Sequence, residues 1–204
     1  MKLVDLSVRE FVYQVDSASP APGGGSVSSL AASLGAGLLR MVGHLTIPKK
    51  KFSKLDEVIQ QDFIANHESL KALENRLIEL IDRDTEAFNA IMDGFKMPKE
   101  TESEKKKRKK AIEIPETIAE IAYQGLQKAD FVRQYGNKNA LSDVGVSVLM
   151  LFAGLEGAVL NVKINLSGVS DDAFVASTTK KIDAMVEEAK TLKDTLLEAI
   201  HNDL

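Results

Sequence analysis

The chain has no cysteine among its 204 residues. That excludes a disulfide framework, a thiolate metal site and a cysteine nucleophile, and it suits a cytoplasmic protein. Histidine is scarce too. His44, His67 and His201 are the three present, and no two stand at a ligand spacing, so no metal is expected. There is no Gly-Lys-Ser/Thr phosphate loop and no strand-borne dinucleotide fingerprint. A nucleophile elbow is also missing. The formal net charge is −4, which provides no global basic field for nucleic acid. The first ten residues already carry Lys2, Asp5, Arg9 and Glu10, which does not suit a leader peptide. The stretch Val27 to Leu45 is mostly apolar or small but contains Arg40. Placing that side chain in a bilayer costs roughly 2.5–3.5 kcal/mol or more, so no membrane span is expected.

Strand signals are equally poor. No alternating run is bounded by hairpin turns, and only 5 prolines and 13 glycines punctuate the chain. What is present is helical periodicity. A short helix is expected from Ser7 to Val15, and a second from just after Gly23-Gly24-Gly25 to near Leu45. A third runs from about Ser53 to Gly94, with Phe63, Leu70, Leu77 and Ile91 on one register and Leu73, Leu80 and Ala87 on the other. A fourth opens at Thr101-Glu102-Ser103-Glu104, a capping-box spacing, and Pro115 should kink or divide it. Ser142 is the expected N-cap of a fifth helix and Ser170 the start of a sixth. The reading is one all-α domain over residues 1–204, a bundle of about six helices.

Several residues break the packing pattern. Asp84 sits between Leu77 and Ile91 on an apolar stripe. Either the stripe drifts outward there, or the carboxylate is paired, or it belongs to a site. From Val144 to Val162 the only charged residue is Glu156, which reads as a paired core carboxylate or as a site acid or base. Asn161 and Asn165 lie four apart, on one face. Gly136-Asn137-Lys138-Asn139, with Asp143 behind it, reads as a plain turn or as a polar recognition loop. The runs Lys105–Lys110 and Lys49-Lys50-Lys51 read as solvated faces or as attractors of a polyanion. His67 is placed near the polar flank of the third helix, and His44 at the end of the second. Three glycines before a helix let the backbone adopt conformations closed to other residues, and they bare amides for an anion.

The stretch Ser19-x-x-Pro22-Gly23-Gly24-Gly25-Ser26, running to Met41-Val42 and Leu45-Thr46, resembles the cyclodeaminase/cyclohydrolase family. So do Asp82-x-Asp84-x-x-x-Phe88, Met97-Pro98-Lys99, Arg108 and Pro115, Gly136-Asn137-Lys138-Asn139-x-x-Ser142-Asp143, and Asn161-Val162-Lys163-Ile164-Asn165-Leu166. The resemblance covers about residues 5 to 170. It implies an all-helical homodimer that holds a tetrahydrofolate one-carbon derivative in a groove between subunits. It also implies proton-transfer chemistry with no metal and no cofactor beyond the folate. Two reactions are open: 5-formiminotetrahydrofolate closing to 5,10-methenyltetrahydrofolate with loss of ammonia, or hydration of the methenyl compound to 10-formyltetrahydrofolate. On this reading Asp84 or Asp143 shuttles the proton. Ser19, Gly23, Gly24, Gly25 and Ser26 form the turn beside the ligand. Asn137, Asn139, Asn161 and Asn165 hold it, and Lys50 and Arg108 attract its anionic tail, polyglutamylated or not.

Overall fold

The computed structural model describes residues 2–94 and 102–204; the expected Met97-Pro98-Lys99 block and the cap at Thr101 lie outside the described residues. Within them the chain forms α1 (Val8–Val15), α2 (Gly24–Thr46), α3 (Glu57–Gly94), α4 (Glu102–Tyr135), α5 (Leu141–Leu166) and α6 (Asp172–Asp203), with no strand. The all-α bundle expectation holds. Ser7 caps α1 through a full capping box with Glu10.

Five expectations about helix bounds need correction. Gly24 and Gly25 lie inside the first turn of α2, and only Gly23 stands before it as the N-cap. α3 starts at Glu57, because Phe52–Lys54 forms a separate 3₁₀ turn. Pro115 does not divide α4, which runs through it. The N-cap of α5 is Ala140 rather than Ser142, since Lys138–Ala140 makes a 3₁₀ turn leading straight into the helix. The cap of α6 is Asp171, whose carboxylate accepts from the Phe174 amide at 3.0 Å.

α2 and α5 form the centre and run antiparallel. Gly35 meets Leu151 and Ser147, Gly154 meets Ala32 and Ser28, and Gly24 meets Asn161. Ala32, Ala36, Leu39 and Val42 are fully buried on α2, as are Leu151, Leu155, Ala158 and Val162 on α5. α3 packs antiparallel on α2, while α4 and α6 close the bundle against α5. The serines of α2 can be buried because each hydroxyl finds a carbonyl. Ser29 Oγ donates to Leu77 O at 2.6 Å and Ser28 Oγ to Gly24 O at 2.6 Å. Ser147 Oγ on α5 donates to Gly35 O at 2.7 Å. An unpaired buried hydroxyl would cost several times what these bonds return.

By length and composition, two stretches, Gly24–Thr46 and Lys138–Leu166, are apolar and long enough to cross a membrane. They are the two central helices, each partly buried inside the bundle. Their outer sides form an exposed apolar face, with Val27, Leu34, Met41 and Leu45 from α2 and Val146, Leu149, Leu160 and Ile164 from α5. An apolar groove of about 630 Å³ runs along it, lined by Leu34, Leu38, Met41, Ile78, Val146 and Met150 among others. Glu156 is exposed on this side, so it is not a core carboxylate. His67 is also displaced from its expected polar flank. It is buried at the α2–α3 contact, against Gly43 and edge-on to His44.

Candidate functional site

Asp84 is the centre of the site. α3 carries it on the same face as buried Leu77, Leu80, Ile81 and Ala87, and points it at the start of α2. Gly25 stands directly against its carboxylate, so that a Cβ there would overlap both oxygens. Ser26 fixes the acid from the other side. Its Oγ lies 3.1 Å from Asp84 Oδ2, 2.8 Å from Ile81 O and 3.1 Å from Thr85 Oγ1. Burial pushes the Asp84 carboxyl above its ordinary range, and hydrogen bonds from Ser26 oppose that rise without cancelling it. A carboxyl raised in this way exchanges protons closer to neutral pH than an exposed one.

The acid opens into a cavity of about 220 Å³, lined by Pro20, Ala21, Gly23, Gly24, Gly25, Asp84, Ala87, Phe88, Ala111, Asn161, Ile164 and Asn165. The two asparagines come from the end of α5 that lies beside the start of α2. Asn161 Nδ2 donates to Gly157 O at 2.8 Å, and Asn165 Nδ2 donates to Ala111 O at 2.8 Å. Both amide nitrogens are thereby held by backbone carbonyls. Neither Oδ1 accepts a hydrogen bond among the described residues. They remain acceptors for a ligand's N–H groups. Phe88 and Ile164 supply apolar walls. The cavity therefore combines one half-buried carboxyl group, two oriented acceptors and a flat apolar surface.

The glycines have a different reason from the expected one. None of the chain's glycines has a positive φ among the described residues. Their purpose is close approach: Gly25 makes room for Asp84, and Gly24 leaves 3.0 Å between a would-be Cβ and Asn161 Nδ2.

One chain thus brings together Asp84, Gly23, Gly24, Gly25, Asn161 and Asn165, with Ser26 behind the acid. The other candidates are not among the residues that line that cavity. Ser19 is exposed, and its Oγ donates to Ala21 O at 2.6 Å inside the local turn. Arg108 reaches Gly168 O at 3.4 Å, beyond the end of α5. Asp143 is half-buried in the first turn of α5. Lys50, Asn137 and Asn139 line a second cavity at the other end of α2. That end is about 34 Å away, from 23 helical residues at 1.5 Å each. Thr85, which helps hold Ser26, was not singled out from the sequence. A threonine on a helix flank carries no signal until its partner is known. Among the described residues no group of three or more His, Asp or Glu side chains is placed to hold a metal ion.

The profile of the formiminotransferase-cyclodeaminase family matches residues 7–184. The chain is 33% identical over 202 residues to a methenyltetrahydrofolate cyclohydrolase of Methylorubrum extorquens, covering 95% of both chains. It is 36% identical over 197 residues to the formimidoyltransferase-cyclodeaminase of Rattus norvegicus, covering 93% of this chain but 36% of the rat protein. Its fold matches the crystal structure of a formiminotetrahydrofolate cyclodeaminase from Thermotoga maritima with a TM-score of 0.81 and 26% identity, over 98% of this chain and 96% of that one. With the Asp84 cavity built from the segments that carried the sequence resemblance, and with a family match spanning most of its length, the chain belongs to the formiminotransferase-cyclodeaminase family.

Proposed function

We propose that the protein is a tetrahydrofolate one-carbon enzyme, a formiminotetrahydrofolate cyclodeaminase, with Asp84 as its proton carrier. The observation that carries this reading is the half-buried Asp84 carboxyl held between Gly25 and Ser26 at the mouth of a cavity with two free amide acceptors.

The chemistry follows from those groups. In the protonated formimino substrate, N10 attacks the imino carbon and a tetrahedral centre forms between N5 and N10. The Asp84 carboxylate takes the proton leaving N10. It returns that proton to the amino group on the same carbon, which departs as ammonia and leaves the methenyl cation. One carboxyl serves both steps, as base and then as acid, and a pKa nearer neutrality favours both. Asn161 and Asn165 would accept from the pterin's N–H groups. The helix-terminal amides of α2 would face the carbonyl edge or a carboxylate.

The second reading is methenyltetrahydrofolate cyclohydrolase, which the match along nearly the whole length of the Methylorubrum protein favours. There Asp84 would take a proton from the attacking water and pass it to N5 as the C–N5 bond breaks, while the carbinol hydroxyl loses its proton to solvent and becomes the formyl oxygen. Formation or loss of the methenyl chromophore tests both. The cyclodeaminase forms it from 5-formiminotetrahydrofolate and releases ammonia, whereas the cyclohydrolase consumes it faster than buffer does. Neither change would exclude both readings and leave a non-catalytic dimer or adaptor.

The reading includes a homodimer in the cytoplasm. The exposed apolar side chains of α2 and α5 would suit an interface, and a second copy is the occupant proposed for them. Asp143, Asn137 and Asn139 stand at the far end of that face. They would join the folate site only from a partner subunit.

A further inference from the structure

Ser26 has one hydroxyl proton and three polar neighbours. It is fully buried, and its Oγ lies 2.8 Å from Ile81 O, 3.1 Å from Asp84 Oδ2 and 3.1 Å from Thr85 Oγ1. A carbonyl and a carboxylate only accept, whereas a hydroxyl both donates and accepts. Fixed donation to Ile81 O would follow the pattern of Ser29 Oγ, which donates to Leu77 O about one turn further along α2. It would also turn a Ser26 lone pair towards Asp84. With Asp84 ionised, two bare acceptors would then face each other, and burial leaves Ser26 no solvent to relieve the conflict. The conflict disappears if the Ser26 proton follows the acid. When Asp84 is ionised, the Ser26 hydroxyl donates to Oδ2 and Thr85 Oγ1 donates to the Ser26 oxygen. Ile81 O then keeps its amide partner within α3. When Asp84 is protonated, its own O–H donates to Ser26 Oγ and the Ser26 proton turns back to Ile81 O. Every group is satisfied in both states, and the change between them is a rotation of one hydroxyl.

The surroundings leave this task to the two hydroxyls. The Ser26 amide also bonds the carboxyl and favours its ionised form, but an amide proton cannot turn, so it serves that form alone. α3 places Thr85 directly after Asp84 and one turn beyond Ile81. A helical threonine often returns its hydroxyl to the carbonyl four residues back. Here that carbonyl is Ile81 O, which Ser26 approaches from α2, and the Thr85 hydroxyl meets Ser26 instead. Among the described residues lining the cavity Asp84 is the single titratable group: α2 presents glycines, α4 Ala111, and α5 Asn161, Ile164 and Asn165. On its own helix, Asp82 accepts from the Leu3 amide at 2.6 Å, and Arg83 and Glu86 are exposed.

We propose that Ser26 and Thr85 form a hydroxyl pair that follows the charge of Asp84, donating to its carboxylate and accepting from its protonated form, and so act as positioning residues for its proton transfer; their part in the reaction rests on the folate reading above. Carbon-13 NMR of the full chain labelled at the aspartate carboxyl carbons, with Asp84→Asn to assign the resonance, reads the Asp84 titration without any substrate. Ser26→Ala should lower the ionisation constant about tenfold, the scale of one hydrogen bond to a charged group, so the midpoint moves to higher pH. Thr85→Val leaves the buried serine in place and should move the midpoint the same way by less, and Thr85→Ser should restore it. Ser29→Ala removes a hydroxyl from the same seam between α2 and α3 and should titrate as the wild type does. Circular dichroism checks the fold of each variant, and Thr85→Val against Thr85→Ser decides the matter if Ser26→Ala does not fold. In the enzymatic assay the acid limb of kcat/KM should move to higher pH in step with the resonance. A midpoint unmoved in either Ser26→Ala or Thr85→Val, or moved equally by Ser29→Ala, overturns the proposal and leaves Ser26 as a tie between helices. A midpoint that moves as expected in a protein that turns over neither folate would support the pairing and count against the proposed function alone.

Discussion

Gly25 and Asp84 occupy one another's space: the acid on α3 sits where the first side-chain carbon of residue 25 would otherwise be. Each residue explains the other. The glycine is there because the carboxyl must approach the first turn of α2, and the carboxyl is half-buried because the glycine lets it in. Gly25→Ala must therefore displace Asp84. The expected outcome is a loss of kcat/KM of about a hundredfold or more, the scale of losing one positioned acid–base group. Gly24→Ala meets only the Asn161 carboxamide, at 3.0 Å. It should raise KM or the folate Kd with kcat nearly intact. Steady-state kinetics on the two variants distinguishes these effects, and equal behaviour of both would contradict the geometry.

Asp84→Asn separates chemistry from stability. The folded-state pKa of Asp84 is raised, chiefly by burial. Such a group favours the fold while protonated, and that contribution is lost as pH rises through the folded pKa. Asparagine keeps the shape and never ionises. The variant should lose most turnover yet match or exceed the wild-type Tm at neutral pH. The Tm gap should widen in its favour as pH rises above about 4, the ordinary carboxylate range, and level off once the folded-state pKa is passed. Thermal melts across that range check it. A lower Tm with activity per folded molecule preserved would make Asp84 a packing residue.

Much of this was legible in the sequence, for physical reasons. The stripe Phe63, Leu70, Leu77, Leu80, Ala87 is buried as its period requires, and Asp84 stood out because it interrupts that stripe. Asn161 and Asn165 share a face because four residues make about one helical turn. What the sequence left unread depends on contacts between helices. The mutual fit of Gly25 and Asp84 joins positions 59 apart, and that of Gly43 and His67 joins positions 24 apart; no local pattern records either. The start of α5 was misplaced because a 3₁₀ turn and an α-helix share the same N-terminal side-chain preferences. Ser142 therefore looked like a cap one residue inside the helix.

His67 should make the fold acid-sensitive. It is 6% exposed, its Nδ1 has no hydrogen-bond partner, and Gly43 packs against that atom. Burial, with His44 and Arg40 nearby, lowers its pKa below the ordinary histidine value. A depressed pKa means that the unfolded chain takes up the proton first. Stability is then full above about pH 6.5 and falls as pH drops through the folded pKa. His67→Gln removes that titration. Its Tm should fall less steeply than the wild type's between about pH 6.5 and pH 5, whatever the offset at pH 8. Parallel curves would assign the acid sensitivity elsewhere.

The central crossing has no spare room. A Cβ on Gly154 would lie 2.7 Å from Ser28 O and 2.7 Å from the Ala32 Cβ, both on α2. Backbone cannot rotate away as a long side chain can, so the helices must separate. Gly154→Ala should destabilise by about 1–3 kcal/mol, read by denaturant unfolding. Gly145→Ala, which meets only Ile200 Cγ2 at 3.5 Å, should be close to neutral apart from its gain in helix propensity.

The exposed face of α2 and α5 provides the test of assembly. Leu34 is 52% exposed and Leu149 50%, each in the outward stripe of its helix. Exposed leucines are ordinary when scattered, but these share the outward sides of their helices with exposed Val27, Met41, Val146 and Leu160. If two copies bury this face against each other, multi-angle light scattering should give about twice the 22.2 kDa chain mass. Leu34→Glu with Leu149→Glu would place four carboxylates in that interface. Unpaired charges at an apolar contact cost several kcal/mol each, so the double variant should run as a monomer with its helical circular dichroism retained. Both changes lie on the outer side of the helices, so the core should not be disturbed. The readout that matters most is activity. If Asp143, Asn137 and Asn139 complete the folate site only across the interface, the monomer should lose turnover even though Asp84, Ser26 and Asn161 remain in place. A fully active monomer would confine the reaction to the Asp84 cavity of one chain, and a wild-type mass of 22.2 kDa at micromolar concentration would remove the dimer altogether.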